Sequence, residues 1–279
     1  MKRTHRAAIA RETVDIVNRG HYEVAGKRIN LRPLVAKCLA GTKLFTQSDL
    51  ETLRDSVLKS GLPSHQTEIE VVNETTLEGH SRLIAGGAGP IAILNFASAK
   101  NPGGGFLNGS QAQEESLARS SALHASQLKV FNFYEQHRAI ASCLYSDNMI
   151  LSPDCPIFRN DDGELLPEPL LATFITSPAP NAGATADNHP EEFPLIPEVL
   201  HNRAELVLAL AVASGHTNLS LGAWGCGVFR NDPKLVAITF AKHLHGKWAG
   251  RFKQILFSVL DTSPDLDTYE SFRTVFKLI

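Results

Sequence analysis

Short β-rich apolar runs recur along most of this chain with helix-length segments between them, and that alternation limits the fold more than any single motif does. The runs are Glu68–Val72, Ile91–Phe96, 172–177, 219–224 and 254–260. Between them the composition and apolar spacing predict helices at about 114–128, 197–214 and 233–243, with a last one at 266–276. Strands separated by helices cannot all pair as hairpins, so the expected fold is an α/β sheet with helices on both faces. With 279 residues, 43% of them hydrophobic and 20% charged, the chain has ample material for the core of a soluble globular protein.

The first sixty residues depart from this rhythm and read as mainly helical. A helix is expected over 6–17, ending near Gly20, followed by a short hairpin within 21–30. A second helix is expected over 48–58, where Leu50, Leu53, Val57 and Leu58 are helically spaced, with Ser48 or Asp49 as its cap and Gly61-Leu62-Pro63 as its stop. Two later stretches, 152–169 and 179–194, are rich in proline and acids or in proline and glycine, and read as surface excursions. Neither an internal repeat nor a low-complexity tract interrupts the chain.

Charge and cysteine usage narrow the partners. A formal net charge of -2 gives no electrostatic sign of duplex DNA or of an anionic membrane, although a local pocket can still select a small anion. Cys38, Cys143, Cys155 and Cys226 are far apart, without a CxxC pair or a cysteine-histidine cluster, so they read as reduced and unpaired. The basic start, Met1 to Arg6, runs into Glu12 and Asp15 instead of an apolar stretch. Neither a signal peptide nor a membrane span is indicated, and an intracellular setting is expected.

Two segments carry chemistry. Residues 101–115 place Gly103, Gly104 and Gly105 a short loop away from the adjacent acids Glu114 and Glu115. Glycines let a ligand approach the main chain, and carboxyls donate or accept protons, which suits a phosphate-bearing or sugar-bearing substrate. Ser110 to Gln113 also fits a capping box, which would make the glutamates ordinary first-turn residues. The second segment, Gly222-Ala223-Trp224-Gly225-Cys226-Gly227-Val228-Phe229-Arg230-Asn231-Asp232-Pro233, lies between an apolar run and a helix that Asp232 would cap and Pro233 would begin. Such a loop is either an anion cradle or a tight turn, and its spacing matches neither a Walker A loop nor the dinucleotide fingerprint. Trp224 reads as core, Phe229 as core or as a stacking face, and Cys226 as a small packed thiol or a thiol activated by the helix end. Asp147, Asp154, Asp161 and Asp162 read as solvated surface, and the histidines show no nucleophile setting.

Taken together, Gly103-Gly104-Gly105, seven residues, then Gln113-Glu114-Glu115 resembles the signature of poly(ADP-ribose) glycohydrolases of the compact microbial type. The flanking 95–102 and 116–121, the stretch Ser177-Pro178-Ala179-Pro180-Asn181 and the 222–233 loop extend the likeness over roughly 71–261. The resemblance implies a three-layer α/β/α macrodomain with a mixed central sheet (66–279) behind a mainly helical N-terminal extension packed on the core (1–65). It implies ADP-ribose in a crevice at the strand ends. It also implies hydrolysis of ribose-ribose bonds in poly(ADP-ribose) on modified proteins, from chain ends, without a metal or other cofactor. Carried onto this sequence, Glu115 is the general acid and then the base, and Glu114 holds the ribose hydroxyls. Asn101 and the amides of Gly103, Gly104 and Gly105 contact the distal ribose and nearby phosphate, with Gln113 beside them. Gly225, Cys226, Gly227 and Val228 take the diphosphate, and Phe229 the adenine side.

Spacing adds a constraint of its own. Paired glycosidase carboxyls stand about 5–9.5 Å apart across the scissile bond, which neighbours on one helical turn can hardly do. One glutamate must then carry the proton in both directions, through an oxocarbenium-like sugar. The starting proton is favoured by the adjacent carboxylate and a substrate diphosphate, and opposed by the helix N-terminus. Rival readings are an ADP-ribose-binding macrodomain without activity, which has no need of the glutamate pair, and a hydrolase of mono-ADP-ribosylated protein.

Overall fold

The computed structural model describes residues 1–61 and 64–277. Helix α1 (Arg3–Arg19) leads to a hairpin of β1 (His21–Val24) and β2 (Lys27–Asn30), then α2 (Arg32–Gly41), β3 (Lys43–Phe45) and α3 (Gln47–Lys59). There follow β4 (Glu68–Val72), α4 (Thr76–Ala85), β5 (Ile91–Phe96), a 3-10 turn (Phe106–Asn108), α5 (Gln113–Ser120), α6 (Leu123–Lys129) and α7 (Asn132–Ala139). The chain continues through β6 (Met149–Arg159), β7 (Leu165–Ser177), α8 (Ala182–Asn188), a 3-10 turn (Pro190–Leu195) and α9 (Ile196–Ala213). It closes with β8 (Asn218–Leu221), α10 (Pro233–Leu244), β9 (Gln254–Ser258) and α11 (Asp267–Lys277).

Seven strands form one mixed sheet in the order β3-β6-β7-β5-β8-β9-β4. From β7 to β4 every pairing is parallel, whereas β6 lies antiparallel to both β7 and β3. Alternation along β5 divides the interior: Ile91 and Ile93 join a core with α1, α2, α4 and α5, while Ala92 and Leu94 join one with α3, α9, α10 and α11. A strand buried on both faces reads as a near-continuous apolar run, which is why Ile91–Phe96 is legible as a strand. β9 repeats the division, with Leu256 on one side and Ile255 and Phe257 on the other.

The N-terminal segment is joined to this architecture through β3. β3 pairs with β6 and so forms an edge of the main sheet. α1 stops at Gly20, which takes a left-handed backbone and sends its N–H to the Ile16 carbonyl. The α3 cap is Thr46, in a reciprocal box with Asp49, and not Ser48 or Asp49. The expected stop at Gly61-Leu62-Pro63 lies partly outside the described residues.

Three sequence expectations are corrected. The stretch 152–169 is no surface excursion but most of a long antiparallel hairpin, with Cys155, Ile157 and Phe158 buried. Three of its prolines sit at register shifts, Pro153 between Ser152 and Cys155, and Pro167 and Pro169 opposite the shift between Ile157 and Arg159. The helix expected over 114–128 is two helices, broken where Ser121 turns extended and bridges to Ile157. The stretch 179–194 carries α8, whose N-cap Asn181 accepts from Ala184 N–H, and its first residues are buried.

Candidate active site

At the β5/β8 boundary the connections diverge: the chain leaving β5 passes to β6 and β7 on one side, and the chain leaving β8 runs to β9 on the other. A crevice outside the strand ends at such a switch point is where open α/β sheets take their ligands. A cleft of about 800 Å³ lies there, within the range of roughly 300–1,000 Å³ usual for small-molecule sites. It is walled by the segments after β4, β5, β7, β8 and β9 and by the start of α5.

The residues singled out in the sequence converge on it almost completely. Asn101, Gly104, Gly105, Gln113, Glu114, Glu115, Gly225, Cys226, Gly227, Val228 and Phe229 all line the cleft. Gly103 does not; it lies behind the wall, close against Phe106 and Ala118.

Glu114 is 2% exposed, and its carboxylate accepts three hydrogen bonds. Asn95 Nδ2 (3.1 Å) and Gln127 Nε2 (2.9 Å) donate to Oε1, and Ser98 N–H (2.7 Å) donates to Oε2. Burial pushes its pKa up to about 7, against the pull of those three donors. Of the roughly four acceptor positions on a carboxylate one is left, on Oε2, toward Gly104. The break between α5 and α6 is what lets Gln127 fold back to this site.

Glu115, half-buried on the next residue, is held differently. Its Oε1 accepts from Gly105 N–H at 3.0 Å. Gly104 sits at φ +59°, and a Cβ there would run into Glu115 Oε1, so the acid occupies the space that a side chain would need. The Gly104 N–H is already given to the Asn101 carbonyl (3.0 Å). The triplet therefore serves the site by bare Cα surface and by holding Glu115; the expected use of the Gly104 and Gly105 amides for a ligand does not fit these bonds.

Gln113 is an anchor. Its Oε1 accepts from Phe96 N–H (2.9 Å) and its Nε2 donates to the Leu94 carbonyl (2.8 Å), tying α5 to the end of β5. The Ser110 to Gln113 capping box is not formed, and the N-cap of α5 is Ala112.

The 222–233 loop is tied to the end of β7 and the residues just after it. Trp224 is fully buried and donates Nε1–H to the Ser177 carbonyl (3.0 Å); Asn231 Nδ2 donates to the Pro180 carbonyl (2.8 Å). Asp232 caps α10 by accepting from Lys234 N–H (2.9 Å). Cys226 N–H is spent on the Ala223 carbonyl (3.1 Å), but the N–H groups of Gly225, Gly227, Val228 and Phe229 find no acceptor among the described residues. Four amides without a protein acceptor, on residues that line the cleft, suit an anion. The Cys226 thiol is packed, its pKa pushed up to about 12 mainly by burial. Phe229 lies beside Tyr145, ring centroids 6.1 Å apart, with its ring at the cleft.

Several contributors were not anticipated. Asn95 and Ser98 belong to the stretch that carries the resemblance but had no assigned role, and Gln127 had none either; all three hold Glu114, and a lone asparagine inside the apolar run Ile91–Phe96 is the legible sign of it. Asp147 is not solvated surface but pairs at 2.6 Å with Arg203, which is 1% exposed and also donates to the carbonyls of Pro178 and Leu144. Asp161 lines the cleft and accepts from Thr75 Oγ1–H (2.5 Å). The four cysteines are free. Among the described residues no three His, Cys, Asp or Glu side chains gather as a metal ion would need, and no helix is long and apolar enough to cross a membrane.

A mixed sheet between helical layers, with its ligand cleft at the strand ends, defines a macrodomain-like α/β protein. Within that class the chain belongs to the family described as microbial-type PARG, catalytic domain, whose model matches residues 10–160. Its fold is similar to that of poly(ADP-ribose) glycohydrolase from Thermomonospora curvata, with 46% identity, a TM-score of 0.93 and coverage of 98% of this chain and 100% of that one. The same enzyme bound to the inhibitor ADP-HPD matches at 46% identity and a TM-score of 0.89, over 97% of this chain and 99% of that one. The glycohydrolase from Deinococcus radiodurans in complex with ADP-ribose matches at 44% identity and a TM-score of 0.83, over 92% and 99% of the two chains. No curated protein shows a significant match.

Proposed function

We propose that this protein is a poly(ADP-ribose) glycohydrolase that hydrolyses the ribose-ribose O-glycosidic bond and releases ADP-ribose from chain ends. The observation that carries the reading is the placement of Glu115, fixed by Gly105 N–H against the bare Gly104, in the same cleft as the four free amides of the 225–229 loop. Those amides take the diphosphate, and Phe229 offers a ring face to the ligand. Asn101 and the remaining acceptor position of Glu114 receive ribose hydroxyls and set the sugar over Glu115.

The reaction then needs one mobile proton. Glu115 gives it to the bridging oxygen as the C1–O bond breaks, and the other ribose departs as an alcohol. The oxocarbenium-like sugar left behind is stabilised by the neighbouring negative charges of Glu114 and the diphosphate. Water adds at C1, and Glu115, now ionised, takes its proton back. Glu114, locked by three donors, orients and does not shuttle.

The test incubates automodified polymerase with wild-type protein and with Glu115→Ala, following polymer length and free ADP-ribose. Loss of about 10²–10⁴ in rate is expected for the variant, the usual scale of a general acid-base group. Full activity in Glu115→Ala refutes the mechanism. If wild-type protein binds ADP-ribose and leaves the polymer intact, the chain is a binding module instead. Accumulation of mid-length oligomers would overturn cleavage from ends.

A further inference from the structure

No residue of α1 lines the cleft, yet three of its side chains end on the elements that hold Glu115. Arg3 Nε donates to the Asn108 carbonyl (3.0 Å) and Arg6 Nε to the Gly109 carbonyl (2.8 Å). One step inward, the N–H groups of Asn108 (3.0 Å) and Ser110 (3.2 Å) both donate to the Gly105 carbonyl. One step further, Gly105 N–H donates to Glu115 Oε1 (3.0 Å). On the other side, Thr13 Oγ1–H donates to the Arg119 carbonyl (2.5 Å), at the end of the helix that bears Glu115, and the Arg119 guanidinium returns to the Ser110 carbonyl (2.8 Å). Ala10 and Val14 pack on Phe106 and Ala118 beneath the same joint. Helix and loop touch so closely that Gly109, at φ +74°, has no room for a Cβ beside the Arg3 carbonyl.

We propose that α1 is a positioning element for Glu115, with Arg6 as its principal residue. Leu107 and Asn108, in the 3-10 turn between the glycine triplet and the glutamates, are exposed, and the grip of α1 on the Asn108 and Gly109 carbonyls steadies the backbone whose Asn108 and Ser110 N–H groups hold the Gly105 carbonyl. A general acid has to stay within hydrogen-bond reach of its target oxygen, and a displacement of about 1 Å can cost on the order of 10²-fold in rate. The 225–229 amides belong to a separate loop, and Glu114 is held by its own three donors, so ligand affinity should respond to this joint less than the rate does. The inference rests on the reading of Glu115 as the proton carrier.

The experiment measures kcat and KM on polymer, ADP-ribose affinity by calorimetry, and Tm, for Arg6→Ala, Arg6→Lys, Gly109→Ala and Thr46→Ala. Arg6→Ala and Gly109→Ala attack the joint from its two sides. Thr46→Ala weakens the α3 cap, on the opposite face of the sheet, and serves as a control for lost stability. Expected is a fall in kcat of about tenfold or more for Arg6→Ala and Gly109→Ala, with KM and ADP-ribose affinity within about twofold of wild type. Arg6→Lys, still able to donate to a carbonyl, recovers most of the rate, and Thr46→Ala keeps the wild-type kcat. The proposal is overturned if the joint variants lower only Tm, or if kcat falls together with ADP-ribose affinity. Glu115→Ala assayed alongside separates the two readings: activity there removes the acid assignment, whereas a dead Glu115→Ala beside a fully active Arg6→Ala removes only the role of α1.

Discussion

Replacing Glu114 by glutamine tests the electrostatics of the site through folding stability alone. The Glu114 carboxyl has an ordinary pKa of 4.5 and is raised to about 7 by burial. Because the folded value lies above the unfolded one, the folded protein binds the extra proton. Its contribution to stability is complete below about pH 4.5 and is lost as pH rises through 7. At about 1.4 kcal/mol per pH unit the full span is about 3 kcal/mol, of which about 2 kcal/mol falls between pH 5.5 and 8.5. The side chain in Glu114→Gln has no such dependence. Its amide oxygen keeps Asn95 and Gln127, while its NH₂ faces Ser98 N–H and leaves that donor unmatched, at about 1–3 kcal/mol at every pH. Between pH 5.5 and pH 8.5 the stability difference should therefore move by about 2 kcal/mol in favour of the variant, because only wild type loses stability over that range. Urea unfolding at the two pH values, read as the difference between proteins, cancels the other carboxylates. A difference that stays flat, within about 0.5 kcal/mol, refutes the claim that Glu114 titrates with burial as its dominant cause.

Two further outcomes follow from the same geometry. Gly104→Ala places a Cβ against Glu115 Oε1 on a left-handed backbone; activity should fall by more than about tenfold while ADP-ribose affinity, measured calorimetrically, changes less. Val228→Pro deletes one of the four free amides, whereas Val228→Ala changes only a side chain that is 83% exposed. The proline variant should bind ADP-ribose about tenfold or more weakly, the scale of one charge-assisted hydrogen bond, and the alanine variant should match wild type.

Local sequence determined the elements whose signal is self-contained. α9, α10 and α11 lie within one or two residues of their expected bounds, and β4 and β5 match outright, because apolar spacing and short β-rich runs are signals carried by neighbouring residues. Gly20 and Asp232 with Pro233 marked a helix end and a helix start for reasons of backbone geometry. The 152–169 stretch misled because prolines and acids normally mark loops, whereas here a register shift absorbs Pro153 and pairing with β7 supplies the bonds that the local sequence does not advertise.

The site divides along the same line. Glycine triplet, glutamate pair and 222–233 loop could be picked out by residue type, and their convergence followed from strand order. Only the tertiary structure decided what each does within the cleft. Glu114 is immobilised because Asn95 on β5, Ser98 just beyond it and Gln127 on α6 meet there, and Gln113 ties α5 to the end of β5 instead of closing a capping box. The 225–229 amides remain free because that loop makes its internal bonds through Trp224, Cys226 and Asn231. The sequence by itself settled which chemical groups are available and which helices and strands carry them. Which carboxylate is locked, which can move a proton, and which helix holds it in place depend on hydrogen bonds between residues far apart along the chain, and those exist only once the sheet has brought their ends together.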